Sequence, residues 1–256
     1  MKDAKDYGYK VDTKPNKLCH TMIKNHPERV EATSLSGKYQ ILAKGNILYL
    51  DTLSGDGTGS ILKRETLAGD QTDLRDIMNV WIHEKKKRFM VLQKGSPRGL
   101  LTYTLEYASN TAPLRHFTSP ILNSVTRVKL LDDRDELALI SSTNKTIKFV
   151  NSDADTILYK GGKFVPKLYR EIKGNETELN DPLDVVISDS AKEIYVLDSG
   201  KILVFGLPIG ASSKPKKIIE LPNDLRRAVA LELVKDAGYV SVTSANGITA
   251  KVSIKH

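Results

Sequence analysis

Short apolar runs separated by turn residues recur along the whole chain. The clearest stretch is 181–208, DPLDVVISDSAKEIYVLDSGKILVFGLP. It holds three β-rich runs, 183–187, 194–197 and 202–205, split by Ser-Asp-Ser-Ala-Lys and Asp-Ser-Gly-Lys turns. A fourth run, 217–221, follows a Gly/Ser/Pro/Lys loop. The same grammar starts again at His26, Arg75, Asn123 and Arg226. The anchor residues of the first runs are Val30, Val80, Val128, Val185 and Leu231, spaced by 50, 48, 57 and 46 residues. An apolar residue precedes each anchor: Ile23 by seven positions, and Leu74, Leu122, Leu179 and Leu225 by six. Five four-stranded units with a period near the ~40–50 residues of propeller repeats predict an all-β, five-bladed β-propeller. The blades fall at 25–70, 71–120, 121–176, 177–222 and 223–256 plus 5–12, in one domain over 1–256.

Closure into a ring has a physical rationale. A single four-stranded sheet cannot bury both its faces, whereas radial stacking covers them and leaves only short edges. The runs 47–50, 137–140 and 194–197 are apolar throughout rather than alternating, as inner strands covered on both faces should be. The fifth unit stops after its third run, so the segment Tyr7-Gly8-Tyr9-Lys10-Val11 is expected to add its missing outer strand. One conflict exists. Residues 74–87 and 225–236 have helix-favouring composition, but the repeat register assigns them to first strands.

The stretch 181–208 resembles repeats of NHL and YVTN-type propellers. The residues that carry the likeness are Pro182, Val185, Ile194-Tyr195-Val196, Asp198-Ser199-Gly200 and the run 202–205. No Trp-Asp signature of WD40 blades is present, and Trp81 falls in a first strand as a core residue. The resemblance implies a binding platform for protein or RNA, although some related propellers are enzymes, and fold alone does not choose. It also implies that ligands meet the face formed by the second-to-third strand loops and the inter-blade linkers.

Charge then marks candidate residues on that face. Lys and Arg number 39 and Asp and Glu 31 among 256 residues, a net charge of +8. The second-to-third loops carry Lys44, Lys94, Arg98, Lys145 and Lys201, and the linkers carry Arg75 and Arg226. Lys24, Asn123 and Asn180 occupy corresponding linker positions, while Asp70, Asp73 and Asp76 dilute the charge. The seven basic residues Lys44, Arg75, Lys94, Arg98, Lys145, Lys201 and Arg226 form the expected contact surface for an anionic ligand or acidic partner. The densest basic runs, 85–88 and 214–217, are expected on the opposite face, where they could meet nucleic acid, an anionic lipid surface or an acidic protein. Only Phe89 adjoins such a run, and it is expected to point into the sheet rather than stack on bases.

Composition narrows the remaining classes. With 40% apolar and 27% charged residues the chain is that of a folded protein, and no run approaches the ~20 apolar residues of a membrane-spanning helix. The single cysteine, Cys19, forms no internal disulfide. No apolar leader follows Met1, which fits a cytoplasmic protein, or a periplasmic or extracellular one whose leader has been removed. None of His20, His26, His83, His116 and His256 shows metal-ligand spacing, and Cys19-His20 adjacency is poor for chelation. The glycine-rich stretch 55–60 lacks the Gly-Lys-Ser/Thr of a phosphate cradle. Asp132, Asp133, Asp135, Asp153 and Asp155 read as acidic turn residues, and Asn144 and Asn175 each begin an Asn-x-Thr triplet. The resulting expectation is a monomeric, non-catalytic scaffold without metal or cofactor that binds a protein or anionic polymer. The alternatives are a propeller hydrolase or lyase with channel carboxylates, and RNA binding through the basic face.

Overall fold

The computed structural model describes residues 10–11, 30–34, 36–56, 58–95, 98–106, 109–131, 134–152, 158–160, 163–165, 168–234 and 238–254. Strand β1 (Lys10–Val11) is followed by the first blade, β2 (Val30–Thr33), β3 (Tyr39–Lys44), β4 (Ile47–Leu53) and β5 (Ile61–Leu67). The second blade is β6 (Ile77–His83), β7 (Arg88–Gln93), β8 (Gly99–Thr104) and β9 (Arg115–Thr118). In the third, β10 (Arg127–Leu131), β11 (Glu136–Ser141) and β12 (Thr146–Asn151) precede a hairpin of β13 (Leu158–Lys160) and β14 (Lys163–Val165), and β15 (Leu168–Ile172) completes the sheet. The fourth is β16 (Pro182–Ser188), β17 (Glu193–Asp198), β18 (Lys201–Gly206) and β19 (Lys217–Glu220). The fifth is β20 (Ala228–Val234), β21 (Tyr239–Ser244) and β22 (Thr249–Ser253). These five four-stranded antiparallel sheets make a five-bladed β-propeller.

The N-terminal strand closes the last blade. β1 pairs antiparallel with β22, Lys10 opposite Lys251 and Val11 opposite Ala250. The remainder of the expected strand, Tyr7 to Tyr9, lies outside the described residues. The hairpin β13–β14 accounts for the long 57-residue spacing between Val128 and Val185, because it is extra chain between β12 and β15. Local helix propensity loses in both contested segments, where β6 and β20 form, although residues 84–86 keep a single 3-10 turn. Tertiary burial outweighs a propensity difference of at most about 0.7 kcal/mol per residue: Val80 and Leu231 are fully buried and Trp81 nearly so.

Two compact units divide the chain. One comprises 17–137 and 151–167, the other 1–16, 138–150 and 168–256. The core of the first joins Leu48, Leu50 and Leu67 to Val80, Ile82, Val91 and Leu101. Phe89 and Tyr103 stack there with ring centroids 5.1 Å apart. The core of the second joins Tyr195, Leu197, Ile202 and Val204 to Leu225, Leu231, Val240 and Val242. The apolar residues ahead of the strand anchors, Leu74, Leu122, Leu179 and Leu225, are all buried, so each linker is pinned by one side chain.

A closer internal likeness emerges between the second and fourth blades. Residues 69–95 and 174–200 align at a constant offset of 105, with ten of 27 positions identical. Both begin with a Gly-x-x-Thr turn in which the threonine hydroxyl donates to the glycine carbonyl at 2.7 Å, Thr72 to Gly69 and Thr177 to Gly174. In both the next residue, Asp73 or Glu178, is left-handed with φ 56. Lys87 and Lys192 are left-handed at the matching later turn, with φ 48 and 52. The third-to-fourth strand loops match as well. Leu105 donates its N–H to the Lys87 carbonyl and Leu207 to that of Lys192, at 2.9 and 2.7 Å. The middle of each loop accepts an N–H from just before the Gly-x-x-Thr turn: Ala68 to Ser109 and Lys173 to Ala211, at 2.9 and 2.8 Å.

Candidate functional site

The predicted basic residues sit where linkers and second-to-third loops hold each other. In the first unit, Asp76 of the linker donates its N–H to Asn46 Oδ1 at 3.0 Å and accepts the Lys94 N–H at 2.9 Å. Gln93, the last residue of β7, accepts the Arg75 N–H at 3.0 Å. The Arg98 guanidinium donates to the Val125 carbonyl of the next linker. Lys44, Arg75 and Lys94 are exposed along this loop–linker edge, and Arg98 is half-buried.

The second unit repeats the arrangement with different side chains. Asp198, fully buried at the end of β17, accepts the N–H groups of Asn180 and Asp181 at 2.7 and 2.5 Å. Lys145 holds a left-handed turn, φ 51, and its ammonium donates to Asn180 Oδ1 at 3.3 Å. Lys201 reaches the Glu178 carbonyl at 3.5 Å. Gly200, with φ 85, accepts the Leu221 N–H at 2.9 Å. A Cβ there would stand at an ordinary contact distance of 3.5 Å from Arg226 Cγ, so the left-handed backbone, which other residues strain to adopt, is what favours glycine. Lys145, Lys201 and Arg226 thus belong to one edge of this unit, and Lys44, Arg75, Lys94 and Arg98 to one edge of the other.

The acids on the first edge are themselves engaged. Asp70 accepts from the Asn110 side chain at 3.0 Å, and that bond holds its carboxyl below the usual carboxylate range. Asp73 Oδ2 lies 3.3 Å from His116 Nδ1. A Cβ on Gly99 would come within 3.0 Å of His116 Nε2 and 3.1 Å of Gln93 Nε2, so this corner tolerates only glycine without a shift.

The two dense basic runs part company. Lys85, Lys86 and Lys87 follow β6 through a tight turn, where Lys86 pairs with Asp135 at 3.3 Å. Asp135 also lies 3.4 Å from the nearly fully buried His83 Nε2. Lys214, expected on the face opposite the linkers, instead meets Glu176 of the linker between the third and fourth blades at 2.8 Å, and that pair raises its pKa. The cause is the third-to-fourth loop of the fourth blade, which folds back along residues 173–176. Phe89 is buried against Tyr103, as expected, and presents no face for a base.

Other groups that sequence singled out have local explanations. Asp56 accepts the Thr58 N–H at 2.9 Å and the Thr58 and Ser54 hydroxyls at 2.7 Å each. These bonds lower its pKa to about 2, and the glycine-rich stretch falls in the connection between β4 and β5. Burial raises the pKa of Tyr103, which donates to the Thr72 carbonyl, and of Tyr195, which donates to Glu193. Cys19, His20, His26, Asp132, Asp133, Asp153, Asp155 and His256 lie outside the described residues. Among the described residues no three His, Cys, Asp or Glu side chains group as a metal site. No helix among them is long and apolar enough to cross a membrane.

Sequence reasoning did not find the role of Gln93 and Asp198 as clamps of the linkers, although Asp198 is among the residues that carry the repeat resemblance. Their signal was the 105-residue offset, which aligns them, together with their place at the end of a second strand. It also missed Asn79 and Asp184, buried first-strand residues whose side chains accept the N–H of the next blade's anchor, Val128 at 3.4 Å and Leu231 at 2.8 Å.

No protein-family model matches the chain, and no curated protein matches it. Among solved structures it is similar to a functionally unknown protein from Desulfotomaculum acetoxidans DSM 771, with a TM-score of 0.56 and 11% sequence identity over 84% of this chain. The match takes in 62% of that protein's length. At that identity the likeness shows the propeller fold alone.

Proposed function

We propose that this protein is a non-catalytic propeller scaffold that binds an acidic protein partner through its loop–linker edges. The observation that carries the reading is the recurrence of exposed cations at matching loop and linker positions: Lys44, Arg75 and Lys94 in one unit, Lys145 and Arg226 in the other. The backbone beneath them is tied by linker clamps, so these cations stand on a pre-organised base, which lowers the ordering cost of binding. Their charge would steer an acidic partner and speed encounter. Asp56 owes its displaced pKa to hydrogen bonds within its turn and Asp70 to the Asn110 side chain, local structural bonds that favour a binding role over a hydrolytic one. The buried Phe89 leaves the basic run 85–88 without a stacking platform, which favours protein over RNA.

The test uses a fluorescent polyglutamate peptide as the acidic probe. Lys94, Arg98, Lys145 and Lys201 are replaced together by Glu, and folding is verified by circular dichroism. Binding to the folded wild-type chain should be lost in the variant. Equal affinity of the two proteins refutes the surface, and tighter binding of poly-uridine than of polyglutamate favours the RNA reading.

A further inference from the structure

The turn between β21 and β22 holds Asn246-Gly247, the one Asn-Gly pair in the chain. All of residues 245–248 are exposed. Gly247 is left-handed, φ 85, and carries no side chain to crowd the turn, where a Cβ would meet nothing within 4 Å. The Asn246 side-chain oxygen is not idle. Oδ1 accepts the Ile248 N–H at 3.3 Å and the hydroxyl of buried Ser244. That hydroxyl is also within 3.1 Å of the Ile248 carbonyl.

We propose that Asn246 is a site of spontaneous deamidation built into this turn. The Gly247 backbone nitrogen attacks Asn246 Cγ, a C–N bond forms, and the nitrogen's proton passes to the solvent. The carbonyl oxygen becomes an oxyanion at the point where the Ile248 N–H and the Ser244 hydroxyl already donate, the geometry that stabilises such intermediates. Collapse breaks the Cγ–Nδ2 bond and releases ammonia, leaving a succinimide. Water then opens either carbonyl of the ring, giving aspartate or isoaspartate. The opposing contact is the Gly247 N–H bond to the Ser244 carbonyl at 2.9 Å, which must break first. Its location gives the change a consequence, because Ala245 of this turn donates its N–H to the Arg227 carbonyl at 3.0 Å. A new carboxylate thus appears beside the linker that carries Arg226 and Arg227. The chemistry itself does not rest on the proposed binding role.

The experiment incubates the full-length protein at mildly alkaline pH and follows residue 246 by peptide mass spectrometry, with isoaspartate methyltransferase labelling as a second readout. The folded chain should gain about 1 Da at residue 246, amide replaced by carboxyl, faster than at any other asparagine. Ser244→Ala should slow the gain, and Asn246→Gln should abolish the methyltransferase signal from this peptide. A folded chain that stays intact at 246 while the urea-unfolded chain deamidates overturns the proposal. So does a Ser244→Ala rate equal to wild type, because the donor would then have no part in the step.

Discussion

The second and fourth blades share one backbone and differ in the polar side chains set into it. Both have the Gly-x-x-Thr turn, the left-handed residue after it and the folded-back loop. At the end of the second strand, however, one uses Gln93 and the other Asp198. On the first strand one uses Asn79 and the other Asp184, with acceptor distances of 3.4 and 2.8 Å to the next blade. The fourth blade clamps its neighbours with carboxylates, and the second does so with neutral amides. Charged acceptors make hydrogen bonds roughly twice as strong as neutral ones, so the same frame is held more firmly in the fourth blade. The second blade has instead the polar pair His116–Asp73, the buried His83, and a second-to-third loop longer by three residues that brings in Arg98. Firm clamping and polar elaboration are thus divided between two copies of one design.

The sharpest way to break this contrast is to remove the first-strand clamps. Asp184→Ala leaves the buried N–H groups of Val185 and Leu231 without that acceptor and should cost about 3 kcal/mol in urea unfolding, against about 1 for Asn79→Ala. Equal losses would dissolve the distinction. The second-strand clamps should follow the same order, with Asp198→Ala costing about 2 kcal/mol and Gln93→Ala about 1.

Alkaline unfolding probes what the two blades share. Tyr103 and Tyr195 are buried as neutral phenols with pKa raised above the ordinary 10.0, so each favours the folded state while protonated. That contribution is complete below about pH 10 and declines as the pH climbs beyond it, because the unfolded chain ionises first. The melting temperature should fall over that range, and Tyr103→Phe and Tyr195→Phe should each flatten the decline by a similar amount. The smallest difference between the two blades is expected at the threonine turns. Thr72→Val and Thr177→Val should each cost about 1 kcal/mol, equal within error, because the bond they remove is the same in both copies.

Much of this was legible in the sequence. Turn residues between uninterrupted apolar runs disclosed the blades, and the pinning leucines at 74, 122, 179 and 225 disclosed the register, because burial on both faces leaves a strong pattern. The N-terminal strand was legible from counting, since a unit one strand short needs a donor. The hairpin β13–β14 showed only as an overlong spacing. The clamps were hidden for a physical reason: Gln93, Asp198, Asn79 and Asp184 are polar residues in buried positions, and an apolar pattern registers them as gaps. The contact of Lys214 with Glu176 was hidden too, since a loop that folds back along its neighbour obeys no strand period.

The salt dependence of polyglutamate binding tests the central claim most directly. Wild type is measured from low to physiological ionic strength beside two triple variants, Lys44/Lys94/Arg98→Glu and Lys145/Lys201/Arg226→Glu. Wild-type affinity should fall steeply as salt rises, and each variant should bind more weakly with a shallower slope, since exposed charges are screened beyond about 10 Å at 0.1 M. A wild-type affinity indifferent to salt, or variants that keep the wild-type slope, would contradict the assignment of the loop–linker edges as the contact surface.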